Sequence, residues 1–131
     1  MVLDTNVLLL ALATHGICEA LLDACVDKSD LTIVLSEHIL QEFSRQYQDQ
    51  FGMSAEQAGF VVQFLRSITQ LVEPVSVPPD TCRDQDDLSV LGTAKAAQAD
   101  CLVTGDKDLL VIGRFHSIPI LTPRAFYERL R

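Results

Sequence analysis

Basic residues are scarce in this chain: ten Lys plus Arg stand against eighteen Asp plus Glu, a net charge of −8. A protein that grips nucleic acid by bulk electrostatics is therefore excluded, because such binding rests on many Lys and Arg facing phosphates. No apolar run approaches the roughly 18 residues that a membrane helix needs. The strongest early run, Val7 to Ala13, has no basic stretch before it, so it does not read as a signal peptide. A cytoplasmic chain with no membrane partner is expected. None of the four cysteines, Cys18, Cys25, Cys82 and Cys101, forms a C-x-x-C pair. In a reducing cytosol they read as free, buried thiols and not as zinc ligands or disulfides. There is no internal repeat, no low-complexity stretch and no long linker, and Pro78-Pro79 makes the one strong break.

What is present is apolar and regularly patterned. Hydrophobic residues make up 48% of 131 positions, and the mean hydropathy is +0.22. This suits one folded domain over residues 1–131, able to bury roughly two thirds of its unfolded surface. Short apolar β-like runs alternate with helix-like runs, as in an α/β domain with a parallel sheet. The strands are predicted at Val2-Leu3, Leu31–Leu35, Leu71–Val75, Cys101–Val103 and Ile118–Leu121. One helix is expected after Asp4, another after Gly16, and a third behind Ser36 as its N-cap. Ser54-Ala55-Glu56-Gln57 reads as a capping box, followed by Ala58, Val61, Val62 and Leu65 on one helical face. A helix runs from about Asp86 to Ala99, and Thr122-Pro123 opens a last short one.

The acidic residues fall at telling places on this pattern. Ligands of an open parallel sheet bind outside the carboxyl ends of its strands. Asp4 ends the first strand and Asp106 follows the fourth. Asp87 lies in the first turn of its helix on the inward face, with Val90, Leu91 and Ala94. Glu42 borders an apolar stripe with Ile39 and Phe43, on a helix that starts at the same rim. Taken alone, each has an ordinary explanation as a cap, a turn or a solvated helix residue. Together, four carboxylates at one rim repel one another and call for a cation. Hard oxygen donors suit Mg²⁺ or Mn²⁺, which keep waters and bind phosphate oxygens. The chemistry they support is in-line attack of an activated water on a phosphodiester. His38, four residues before Glu42, shares its helix face and has no second histidine to make a zinc motif.

These residues resemble a known family. Val2-Leu3-Asp4-Thr5-Asn6-Val7-Leu8 is similar to the opening of a PIN domain. Ser36-Glu37-His38-Ile39-Leu40-Gln41-Glu42-Phe43 resembles its second block, and Arg83-Asp84-Gln85-Asp86-Asp87 its third. Ala99 to Leu110, with Thr104-Gly105-Asp106-Lys107-Asp108, resembles its fourth. Gln85 departs from the family, which often has proline there, and leaves Asp86 and Asp87 as rival acids. The inward face favours Asp87. The resemblance covers Val2 to about Phe126. It implies a three-layer α/β/α sandwich around a mostly parallel five-stranded sheet. It also implies a Mg²⁺- or Mn²⁺-dependent ribonuclease acting on RNA, often the toxin of a type II toxin–antitoxin pair. Carried over by position, Asp4, Glu42, Asp87 and Asp106 are the catalytic, metal-holding acids. Asp108 assists at the metal, while Asn6 and Thr104 orient carboxylates or bind a water.

Two rival readings fit the residues less well. A phosphoacceptor receiver domain needs a lone Asp after its third strand, where this chain has Ser76-Val77-Pro78. A catalytically silent PIN-like module that binds RNA or protein would be expected to have lost one of the four acids. As for partners, an acidic nuclease suits a basic antitoxin whose Arg or Lys reaches the acid cluster. Phe60, Phe64, Ile68 and Leu71 make a second apolar stripe on the helix after Ser54. They are expected at a homodimer contact unless the helix carrying Leu40, Phe43 and Tyr47 covers them.

Overall fold

The computed structural model describes residues 1–27 and 31–130. Strand β1 (Val2–Leu3) leads into helices α1 (Thr5–Ala13) and α2 (Ile17–Asp27). Strand β2 (Val34–Leu35) is followed by α3 (Glu37–Phe51) and α4 (Ala55–Ile68), then β3 (Gln70–Leu71). Helix α5 (Gln85–Ala97) precedes β4 (Leu102–Val103), the single turn α6 (Lys107–Leu110), β5 (Arg114–Phe115), β6 (Ile118–Leu121) and α7 (Pro123–Arg129). The strands form one sheet in the order β3-β2-β1-β4-β6-β5. All neighbours run parallel except β5 and β6. The sheet is the middle layer of a three-layer α/β/α sandwich, with β1 and β4 at its centre. Val2, Leu3, Leu102 and Val103 are fully buried there, as continuous apolar runs in a covered parallel sheet should be.

The sheet has six strands where five are expected. The sixth, β5, pairs antiparallel with β6 through a two-residue turn in which His116 adopts φ 55°. That turn holds none of the Asn-Gly or Asp-Gly signals of a tight hairpin, so Phe115-His116-Ser117 reads as a plain loop. Strands two and three are also shorter than expected. The third stops at Leu71 because Pro74 cannot donate to a ladder. Instead, the Val75 N–H donates to the Gly92 carbonyl in the middle of α5, at 3.2 Å. The chain from Val72 onward thus crosses over α5, which explains why Val90, Leu91, Gly92, Thr93 and Ala94 are all buried. No single helix among the described residues is long and apolar enough to cross a membrane.

The helices start where side chains can cap them. Ser36 accepts from the Ile39 N–H, and the Ser54–Gln57 capping box is complete in both directions. Glu37 forms a two-pronged ion pair with Arg66, tying α3 to α4, and Arg66 holds the Glu37 carboxyl below its usual range. The thiols of Cys18, Cys25 and Cys101 are free and buried, and Cys82 is half-buried and free. The crossing over α5 makes Gly92 the position least tolerant of a side chain. A Cβ there would lie 2.2 Å from the Val75 carbonyl oxygen. Gly92→Ala is therefore expected to cost ~1–3 kcal/mol by overpacking, although alanine normally favours a helix. A thermal melt of the variant at or above the parent midpoint would refute this packing.

Candidate metal centre

Sheet register brings the first two acids together. Leu3 pairs with Val103, so the chain leaves β1 and β4 side by side, and the Asp4 N–H donates to the Val103 carbonyl at 2.9 Å. One residue further, the Thr104 hydroxyl donates to Asp4 Oδ2 at 2.7 Å. The same hydroxyl oxygen accepts from the Asp106 N–H at 3.0 Å. Asn6 closes the ring: its Nδ2 donates to Asp4 Oδ2 at 3.3 Å, and its Oδ1 accepts from the Gly105 N–H at 3.0 Å. Asp4 also caps α1, accepting from the Thr5 N–H on Oδ1 at 2.7 Å. Asp106 in turn caps α6 through the Asp108 N–H, at 2.9 Å.

Asp87 reaches this ring from α5, capped by Asp84. Only 5% of Asp87 is exposed, while its neighbour Asp86 faces solvent, so the inward helical face carries Asp87 to the ring. Ligand oxygens of Asp4, Asp87 and Asp106 all lie within 4.8 Å of one another. Glu42 lines the same cleft of ≈ 200 Å³ but is outside that closest group. Its Oε1 accepts from Gln46 Nε2 at 3.0 Å, and its Oε2 faces His38 Nε2 at 3.5 Å. Asp108 lines an adjacent cleft with Arg83 and Val111, away from the close group. Asn6 lines the acid cleft, and Thr104 is buried beneath it.

Thr5, Gln46 and Asp84 also line the cleft, and the sequence pattern alone does not single them out. Gln46 carries a usable signal, since it stands one helical turn after Glu42. Asp84 carries one too, as the cap that starts α5. Its capping role and its place at the cleft coincide because the N-terminus of α5 points into it.

Burial dominates the electrostatics. It pushes Asp87 up to about 8, helped by the charges of Asp106, Asp4 and Asp84. Asp4 is raised by burial and by Asp106, against the pull of its bonds to Thr104, Thr5 and Asn6. Glu42 is raised by burial, then by Asp86 and Asp4, with His38 and Arg45 opposing. Asp87 Oδ2 is buried and has no hydrogen-bond partner among the described residues, as is the case for Thr5 Oγ1 and His38 Nε2. An orphaned carboxylate oxygen among two other carboxylates is costly unless a proton or a cation completes it. Three hard oxygen donors close together, one of them unsatisfied, fit a small divalent cation.

Known proteins give this geometry a context. The family model described as PIN domain matches residues 1–108. A chain in the crystal structure of VapBC2 from Rickettsia felis, bound to a DNA fragment from their promoter, superposes with a TM-score of 0.65. The match covers 92% of this chain and 96% of that one at 17% identity, a likeness of fold. No curated protein matches.

The raised acids set a pH dependence for the metal-free protein. A carboxyl whose pKa is higher folded than unfolded stabilises the fold fully below its unfolded value and loses that contribution as pH rises through the folded one. For Asp87 the window runs from 3.8 to about 8. Denaturant midpoints in chelator should therefore fall between pH 4 and pH 8, and Asp87→Asn should be the more stable protein at pH 8 by at least ~1 kcal/mol. Parallel pH profiles for parent and variant would contradict the assignment.

Proposed function

The chain belongs to the PIN-domain family, and from that premise we propose that it is a Mg²⁺- or Mn²⁺-dependent ribonuclease, the toxin of a toxin–antitoxin pair. PIN domains are in general metal-dependent nucleases. The observation that carries the reading is the buried, partnerless Asp87 Oδ2 within reach of the Asp4 and Asp106 carboxylates. Asp4, Asp87 and Asp106 would hold the cation, with Glu42 supplying a further carboxylate at the cleft edge. When bound, a divalent cation acidifies water and polarises a phosphoryl oxygen.

The remaining work falls to the chain's own groups. Thr104 and Asn6 donate to Asp4 Oδ2 and fix the plane of its carboxylate. The Asp108 N–H does the same for Asp106 Oδ1. Gln46 holds Glu42 Oε1, so that Oε2 stays toward the cleft and His38. The catalytically silent alternative is disfavoured because all four acids are present and none is replaced by a neutral residue. The deciding assay is mixed RNA substrates with and without Mn²⁺. Cleavage is expected only with the ion. Asp4→Asn is expected to abolish it, and Thr104→Val to lower it by about 10–100-fold. A fully active Asp4→Asn enzyme would sink the mechanism.

The partner reading rests on surface chemistry. Glu19, Asp23 and Asp27 recur every fourth residue along α2 and rim a cleft floored by Leu12, Leu22, Val26 and Phe64. An apolar floor with an acidic rim suits a basic amphipathic antitoxin segment, whose Arg or Lys would enter the acid cleft in place of a cation. On α4, Phe60 is 71% exposed, and Phe64, at the floor of that cleft, 46%. Helix α3 leaves Phe60 open, so a homodimer contact is proposed at Phe60, with Phe64 beside it at the cleft. In sedimentation, Phe60→Glu should run as a monomer beside a dimeric parent, and antitoxin binding should weaken with salt. Identical species for both proteins would remove Phe60 from the dimer contact.

A further inference from the structure

A second cleft, of ≈ 290 Å³, is lined by Asp80, Cys82, Arg83, Asp108, Val111 and Ile112 among others, residues that neighbour those of the acid cleft along the chain. Arg83 faces one cleft and the next residue, Asp84, the other, while Asp106 and Asp108 divide in the same way at the start of α6. Cys82 lines the second cleft beside Arg83. Its thiol contacts the Asp84 carbonyl at 3.3 Å and is pushed up by burial and by the charges of Asp87, Asp84, Asp106 and Asp108.

The lining has three distinct characters. Val111 is 85% exposed, the most open large apolar side chain among the described residues, and Ile112 lies half-buried beside it. Arg83 is exposed and makes no hydrogen bond or ion pair among the described residues. The half-buried Asp108 spends its N–H on Asp106, and its carboxylate accepts no hydrogen bond among the described residues. With Asp80 and Asp108 against the single Arg83, the lining disfavours a phosphate. A flat, neutral group with an amino edge suits all three: it can lie on the valine, stack under the guanidinium and donate to the carboxylate.

We propose that this cleft is a nucleobase subsite, which receives the base beside the phosphodiester held at the acid cleft and reads its exocyclic amino group through Asp108. It thereby favours cytosine, adenine or guanine over uracil at one position next to the cut. This rests on the ribonuclease reading above and gives Asp108 a role separate from the metal.

The test uses short single-stranded RNAs that differ only in the base flanking the cut, incubated with the parent and Mn²⁺. The parent should favour an amino-bearing base over uracil by about tenfold in kcat/KM, the scale of one good base-edge contact. Asp108→Ala should flatten that preference, and Arg83→Ala should raise KM for all four substrates. A second measurement follows binding of CMP and UMP to the metal-free protein by NMR, where CMP should perturb Val111 and Ile112 more strongly. If Asp108→Ala slows all four substrates equally and weakens Mn²⁺ binding, Asp108 belongs to the metal and the proposal fails. If the parent cuts RNA but discriminates neither flanking base nor CMP from UMP, the subsite fails and the ribonuclease reading survives. If the parent cuts no RNA yet prefers CMP, a base pocket that reads the amino group through Asp108 remains, and its place beside a cut falls with the ribonuclease reading.

Discussion

Three carboxylates that repel one another are held within 4.8 Å at the carboxyl rim of the sheet, and much of the molecule is arranged around that constraint. Two of them are bound into a network that a one-residue slip in register would dismantle. Asp4 and Thr104 are one hundred residues apart in sequence and meet only because β1 and β4 pair in parallel, with Val2 opposite Leu102. Backbone N–H groups at helix starts supply the compensation. Asp4, Asp84 and Asp106 all accept hydrogen bonds as N-caps, so acids sit where the positive ends of helices favour them. Asp87 lacks such a partner for Oδ2, and burial among these charges pushes it up to about 8.

The same constraint shapes the charge of the whole chain. An acidic excess of eight would discourage any polyanion, and the acids assigned to the rim account for half of it. Another share, Glu19, Asp23 and Asp27, lies along α2 beside an apolar cleft. Near the rim, Arg45 acts on Glu42 from one helical turn away, Lys107 follows Asp106, and Arg83 precedes Asp84. Three of the ten Lys and Arg residues thus neighbour the rim acids, whereas Arg66 is committed to Glu37.

The strands that carry this site are short, most of them two residues. Their stability comes from coverage, not from ladder length. Both central strands are sealed by helices, and α5 is sealed again by the segment around Val75, which approaches so closely that only glycine fits at position 92. Tertiary packing of this kind is what lets a two-residue strand hold Asp4 and Thr104 in register.

By itself the amino-acid sequence determined the alternation of strands and helices, the capping box at Ser54, the parallel sheet and the rim to which Asp4, Glu42, Asp87 and Asp106 belong. These are local matters of period, capping chemistry and apolar spacing. The sixth strand, the turn of α6 and the early end of β3 were not legible in it. Two-residue elements have no period, and the Val75 N–H finds its acceptor, the Gly92 carbonyl, on a helix further along the chain. Tertiary structure alone decided which acids crowd together, that Glu42 stands at the edge of that group, and that Asp108 opens into the neighbouring cleft. It also decided that Gln46 and Asp84 share the pocket and that no other helix covers Phe60. Each of these depends on distances across the fold, which spacing along one chain cannot encode.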